Sequence, residues 1–160
     1  MKGQEPSAAR DELGLSLICR VQAHWCALPL RHVIETMRPM PTTPIPGAPI
    51  FVDGLAIIRG EPVPVVNMPR LMGAAVAQPT RLVCVRTDRG RIALAVDGVQ
   101  GVRSITADSL QALPPVLDCA DTQFITAIGM LDTQLLFVMQ TARMVPEALW
   151  ADSNAEAASA

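Results

Sequence analysis

A chain of 160 residues, half of them hydrophobic and 18% charged, carries enough apolar material for one domain of ordinary size and too little charge for general disorder. Its formal net charge is -2, its one lysine is Lys2 and its arginines recur singly, so it lacks the clustered basic surface that nucleic acid requires. Arg, Asp, Gly or Pro interrupts every apolar run before the roughly 18 to 20 residues of a membrane helix, and no hydrophobic stretch behind Lys2 makes a signal peptide, so no membrane insertion is expected and the cytoplasm is the expected compartment.

Residues 1–12 and 151–160 are polar or small and are expected to be flexible tails around one domain at 13–150. Within it, short apolar runs are punctuated by Gly and Pro at strand-like spacing, which predicts an all-β sandwich or barrel. Leu15 to Val21 reads as a strand, with Leu17, Cys19 and Val21 alternating against Ser16 and Arg20. Gln22-Ala23-His24 reads as its turn and Trp25 to Leu30 as the return strand, with His32 at its end. Pro39, Pro41, Pro44, Pro46 and Pro49 deny a ladder its N–H groups and predict an extended loop suited to contact. Gly54 to Gly60 leads into Val63-Pro64-Val65-Val66, a strand whose prolines suggest an edge or a bulge. Pro69 at a helix start and Gly73 after its end predict one short helical turn.

The second half repeats the first about 65 residues on: Leu82-Val83-Cys84 echoes Leu17-Ile18-Cys19, and Ala93 to Val99 echoes Ala27 to Val33. Ile128 to Met139 likewise follows Ile57 to Val66, each as strand, tight polar turn and strand. Duplication of a small β unit, at about 13–75 and 80–147, accounts for this, and two units each marginal alone should pack their apolar faces together. Thr106 to Leu110 predicts a capped helical turn stopped by Leu113-Pro114-Pro115. Ala142 to Trp150 predicts a short C-terminal helix that docks Leu149 and Trp150 on the barrels.

Catalytic patterns are wanting. Cys19, Cys26, Cys84 and Cys119 show no CxxC pair and no His at ligand spacing, which leaves reduced, partly buried thiols and no metal. Gly98 and Gly101 belong to no GxGxxG or Walker pattern, so no nucleotide and no other cofactor is expected. Three Phe, two Trp and no Tyr give no stacking platform for single strands. His24 and Cys26, two apart on one strand face, are a formal thiol–imidazole pair for a hydrolase, but the flanking Trp25 and Ala27 to Leu30 read Cys26 as core.

The segment Gly54-Leu-Ala-Ile-Ile-Arg59-Gly60-Glu-Pro-Val-Pro-Val-Val-Asn-Met resembles the Gly-x-x-Asn-Leu-Arg-Gly-x-x-x-Pro-[Val/Ile]-[Val/Ile]-Asp-Leu block of the CheW-like family. Around it, in the matching order, stand a first hairpin ending Ala-Leu-Pro-Leu, Val33-Ile34-Glu35 before a Pro-containing loop, and Ala95-Val96-Asp97-Gly98-Val99. The resemblance spans about residues 14–147. It implies two intertwined five-stranded SH3-like barrels without catalytic activity, an adaptor joining the cytoplasmic tip of a methyl-accepting chemoreceptor to the regulatory domain of a CheA-type histidine kinase.

By position, Arg59 matches the family's functionally sensitive arginine, Val33 and Glu35 a pair on a strand associated with kinase and receptor contacts, and Gly54 and Gly60 the glycines flanking that arginine. Ile58 beside Arg59 completes the expected partner-binding set, in which a guanidinium between apolar neighbours and a turn is offered to a partner at a rim. Two departures stand out: the family Asn is Ile57, and the Asp-Leu-Arg segment has Asn67 and Pro69 at its acidic and basic positions. They fit a divergent or accessory coupling module, regulating a non-flagellar chemosensory system or another kinase.

Overall fold

The computed structural model describes residues 14–112, 123–147 and 149–150. The expected tails, Cys119 and the Leu113-Pro114-Pro115 stop lie outside the described residues. Strands β1 (Leu15–Val21) and β2 (His24–Pro29) form the opening hairpin, followed by β3 (Val33–Met37), β4 (Val52–Ile58) and β5 (Glu61–Asn67). A four-residue helix α1 (Met68–Leu71) precedes β6 (Arg81–Thr87), β7 (Gly90–Val96), β8 (Gly98–Ser104), β9 (Leu110–Gln111), β10 (Ile125–Leu131) and β11 (Gln134–Met139).

The strands assemble into two sheets, a first in the order β8-β1-β2-β11-β10-β9 and a second in the order β3-β6-β7-β5-β4. Replacing each first-half strand of the second sheet by its repeat, and the reverse, turns β3-β6-β7-β5-β4 into β8-β1-β2-β11-β10, so the duplication is visible in the pairing itself. Each sheet draws strands from both halves. The joins are parallel ladders, β2 with β11 (Cys26 opposite Phe137) and β7 with β5 (Ala93 opposite Val65), inside otherwise antiparallel sheets. This is the intertwined all-β fold that the sequence led us to expect.

Burial explains why the central strands read as near-continuous apolar runs rather than clean alternations. Leu17, Cys19, Cys26 and Leu28 of the first sheet meet Val83, Val85, Ile92 and Leu94 of the second in one core between the sheets. Their neighbours point the other way, Ile18 and Ala27 into a second cluster with Leu136 and Val138, and Leu82, Ala93 and Ala95 into a third with Ala56 and Val65. Ser16, expected on a solvated face, is therefore fully buried, whereas Arg20 is exposed.

Local chemistry sets the element ends. The first turn is only Gln22-Ala23, with Gln22 at φ +57°, so His24 opens β2 opposite Val21 instead of lying in the turn. Pro29 ends that strand and His32 falls in a 3-10 turn, Leu30–His32. Asn67 caps α1 by accepting from the Arg70 N–H at 3.1 Å, and Gly73 at φ +102° closes it with the Gly73 N–H on Arg70 O and the Ala74 N–H on Pro69 O. Thr106 accepts from the Ser109 backbone N–H and hydroxyl through its carbonyl to form the 3-10 turn Ala107–Ser109. Leu149 and Trp150 are helical, with the Leu149 N–H on Pro146 O, and both are buried in the core between the sheets.

Strand β5 corrects its expected edge position, since it lies between β4 and β7. Its prolines are tolerated because the ladder to β7 spans only Val65 to Asn67, beyond Pro62 and Pro64. The bulge falls in the partner strand β4, between Val52 and Gly54.

Candidate partner-binding site

The β4–β5 hairpin closes with Ile58 opposite Glu61 and a two-residue turn, Arg59-Gly60, at φ +53° and +82°. Two positive φ values give the turn a twist that matches right-twisted strands, and Gly60 meets it without steric cost. Arg59, a residue that seldom adopts this conformation, projects its side chain from the turn.

That side chain meets Glu35. Arg59 Nε donates to Oε2 at 3.0 Å and Nη2 to Oε1 at 2.7 Å, the parallel two-bond geometry that guanidinium and carboxylate favour. Glu35 lies on β3, opposite Cys84 and next to a bulge after Val33. The hydrogen bond from Arg59 is the main cause of a Glu35 carboxyl held below its ordinary value, opposed by burial and helped by the Arg59 and Arg91 charges. Arg59 keeps 69% of its side chain exposed and Glu35 25%, so the pair forms a charged rim.

The other expected positions divide. Ile58 is 2% exposed and packs with Ala56, Val63 and Val65, so it supports the hairpin from inside and offers nothing to a partner. Its neighbour Ile57, which sequence reasoning passed over, is 66% exposed opposite Pro62. Two successive isoleucines on a strand must face opposite ways, but the sequence alone does not say which faces out. Val33 is half-buried against the core between the sheets. Gly54 is buried where the proline loop crosses: Thr43 pairs with Leu55 through two 2.8 Å backbone bonds, and a Cβ on Gly54 would lie 2.2 Å from Thr43 O. Gly54 and Gly60 thus shape the backbone around the rim.

The thiol–imidazole arrangement is not formed. His24 stacks edge-on against Phe137 with ring centroids 5.3 Å apart, and the Cys26 thiol lies 3.9 Å from the sulfur of Met72. Burial, with the neighbouring Cys19 adding, pushes the Cys26 thiol far up, away from the thiolate a nucleophile needs. Among the described residues, no group of three or more His, Cys, Asp or Glu is placed to hold a metal ion, and no helix is long and apolar enough to cross a membrane.

Fold and rim together define a duplicated two-barrel β protein with an ion-paired hairpin turn at one end. A family model described as the CheW-like domain matches residues 16–148, and the chain belongs to that family. Among relatives, the probable chemotaxis protein CheW of Rhizobium etli is 25% identical over 121 residues, covering 74% of this chain and 75% of that protein. The chemotaxis protein CheW of Thermotoga maritima is 33% identical over 70 residues, 42% of this chain and 46% of that protein. The fold is similar to the crystal structure of the scaffolding protein TtCheW from Thermoanaerobacter tengcongensis, with a TM-score of 0.69 and 24% identity over 79% of this chain and 88% of that one.

Proposed function

We propose that this chain is a non-catalytic coupling adaptor of a chemosensory array, binding the cytoplasmic tip of a chemoreceptor and the regulatory domain of a CheA-type histidine kinase. Membership of the CheW-like family and relatives that are chemotaxis CheW proteins support this reading. The observation that carries it is the Arg59–Glu35 pair, two charged groups held in fixed geometry beside exposed Ile57. A pre-ordered guanidinium–carboxylate pair next to an apolar residue presents donor, acceptor and hydrophobic contact without the entropy of arranging them on binding. Val33 and the backbone bends at Gly54 and Gly60 set its position.

The test is a calorimetric titration of the kinase regulatory domain and of a receptor-tip fragment into wild type and Arg59→Glu. The expected result is a Kd raised about tenfold or more for one partner, with the melting temperature lowered only by the small amount that one exposed ion pair is worth. Unchanged affinity for both partners would remove the rim from the coupling surface. Kinase activity measured with and without receptor distinguishes an adaptor that activates the kinase from one that sequesters it.

A further inference from the structure

Between β3 and β4 the chain presents one outer edge at a spacing of three residues. Arg38, Pro41 and Pro44 are exposed along it, while Met40, Thr42 and Ile45 on the other two edges are half-buried. Met40 packs against the third cluster and Ile45 against the core between the sheets. Three residues per turn is the period of polyproline II, and the sequence imposes it. From Arg38 to Pro46 only Thr42 is neither a proline nor the residue before one, so ring and neighbour restrictions together bias the stretch toward that extended form. No helix and no named strand falls there. The ridge is fastened in its middle, where the Thr43 N–H and carbonyl make 2.8 Å bonds with Leu55 of β4, and at its end, where the Ala48 N–H donates to Ile45 O at 3.1 Å. Arg38, Pro41 and Pro44 thus stand in line, roughly 9 Å apart at the polyproline rise per residue. Among the described residues Arg38 enters no ion pair.

We propose that this ridge is a ligand for a further protein beyond the coupling role, a small SH3-class domain with an aromatic-lined groove and an acidic rim. Such a groove seats the two prolines of a Pro-x-x-Pro segment on aromatic rings, and a ligand already extended loses little conformational entropy on entering it. Pro41-Thr-Thr-Pro44 supplies the prolines. Arg38, one polyproline turn before Pro41, supplies a cation whose fork of donors matches a carboxylate at the end of the groove. The bonds of Thr43 to Leu55 and the packing of Ile45 stiffen the ridge further than a free peptide of the same sequence would be. A second copy of this chain is not the occupant. The chain has no Tyr, its three Phe pack in or against the core between the sheets, and the indole N–H groups of Trp25 and Trp150 are buried, which leaves its own barrels without an aromatic groove.

An NMR titration of an isolated SH3 domain that selects Arg-x-x-Pro-x-x-Pro peptides, with the full chain added as ligand, tests this without kinase or receptor, so its failure leaves the coupling reading standing. Wild type is expected to shift the amides around the domain's aromatic groove to saturation. Arg38→Glu and Pro41→Ala should each raise the Kd about tenfold or more, with melting curves close to wild type because both side chains are exposed. Pro46→Ala removes an exposed proline from a different edge and should change the Kd less than about twofold. A wild-type chain that shifts no groove amide, an Arg38→Glu or Pro41→Ala chain that binds as tightly as wild type, or a Pro46→Ala chain as weak as Pro41→Ala would each overturn the proposal.

Discussion

Arg59 grips both carboxylate oxygens of Glu35 although 24 positions separate them in the chain and β4, which Arg59 follows, stands at the opposite end of the second sheet's order from β3, which holds Glu35. The pair thus ties the two margins of a sheet that shares no backbone ladder between them. Arg103 of β8, at one margin of the first sheet, lies 3.6 Å from Asp132 in the turn after β10, the strand next to the other margin, β9. Two copies of one β unit have kept the closure and inverted its signs.

The Glu35 carboxyl gives the closure a pH signature. Its value is lowered in the folded chain, so the unfolded chain binds the extra proton; the pair's contribution is complete above the ordinary 4.5 and is lost as pH falls through the lowered value. A carboxyl-carbon NMR titration should place the Glu35 midpoint below 4.5 in wild type and move it upward in Arg59→Ala. A midpoint that does not move would mean that Arg59 is not its partner in solution.

Gly54 and Gly60 should respond differently to alanine. At Gly54 a Cβ would lie 2.2 Å from Thr43 O on a backbone at φ +136°, and the crossing loop would have to shift. Gly54→Ala is expected to cost about 2–4 kcal/mol in urea unfolding. At Gly60 nothing lies within 4 Å of the added Cβ, leaving only the left-handed conformation at φ +82° and a cost of about 1 kcal/mol. Equal costs would show that the Thr43 crossing does not constrain Gly54.

The buried thiols should be inert in the folded protein. Burial pushes the Cys19 thiol up to about 12 and raises Cys26 and Cys84 as well. Iodoacetamide at neutral pH, followed by peptide mapping, should leave all three unmodified until denaturant is added. Rapid native labelling of Cys26 would restore the thiol-enzyme reading.

Trp150 is the largest side chain that the C-terminal segment contributes to the core between the sheets, and its ring lies 3.4 Å from the place where a Cβ on Gly90 would stand. Arg89 and Glu147 form an ion pair beside it. Trp150→Ala is expected to lower stability by about 3–5 kcal/mol. A loss below about 1 kcal/mol in chemical denaturation would mean that the segment is dispensable for packing.

Much of this fold is legible in short-range patterns. The echo of Leu17-Ile18-Cys19 in Leu82-Val83-Cys84 announces equivalent strands, and both occupy matching places, β1 and β6, in their sheets. Asn67, Pro69 and Gly73 announce α1 because capping chemistry acts within a few residues. What periodicity cannot report is which strand lies beside which: the parallel joins of β2 to β11 and β5 to β7 bring together residues far apart in sequence. For the same reason the motif pointed to Arg59 and Glu35 separately, while their contact depends on how the second sheet curls. The inward turn of Ile58 and the outward turn of Ile57 depend on strand phase next to a bulge, which two adjacent isoleucines leave open.

The exchange of strands also governs how the protein is made. β2 has β11 on one flank, so that strand waits for the last of the described strands before this ladder can form. Until β11 has emerged the apolar β1–β2 hairpin lacks that cover, and folding is expected to be slow, dominated by contacts of long sequence separation.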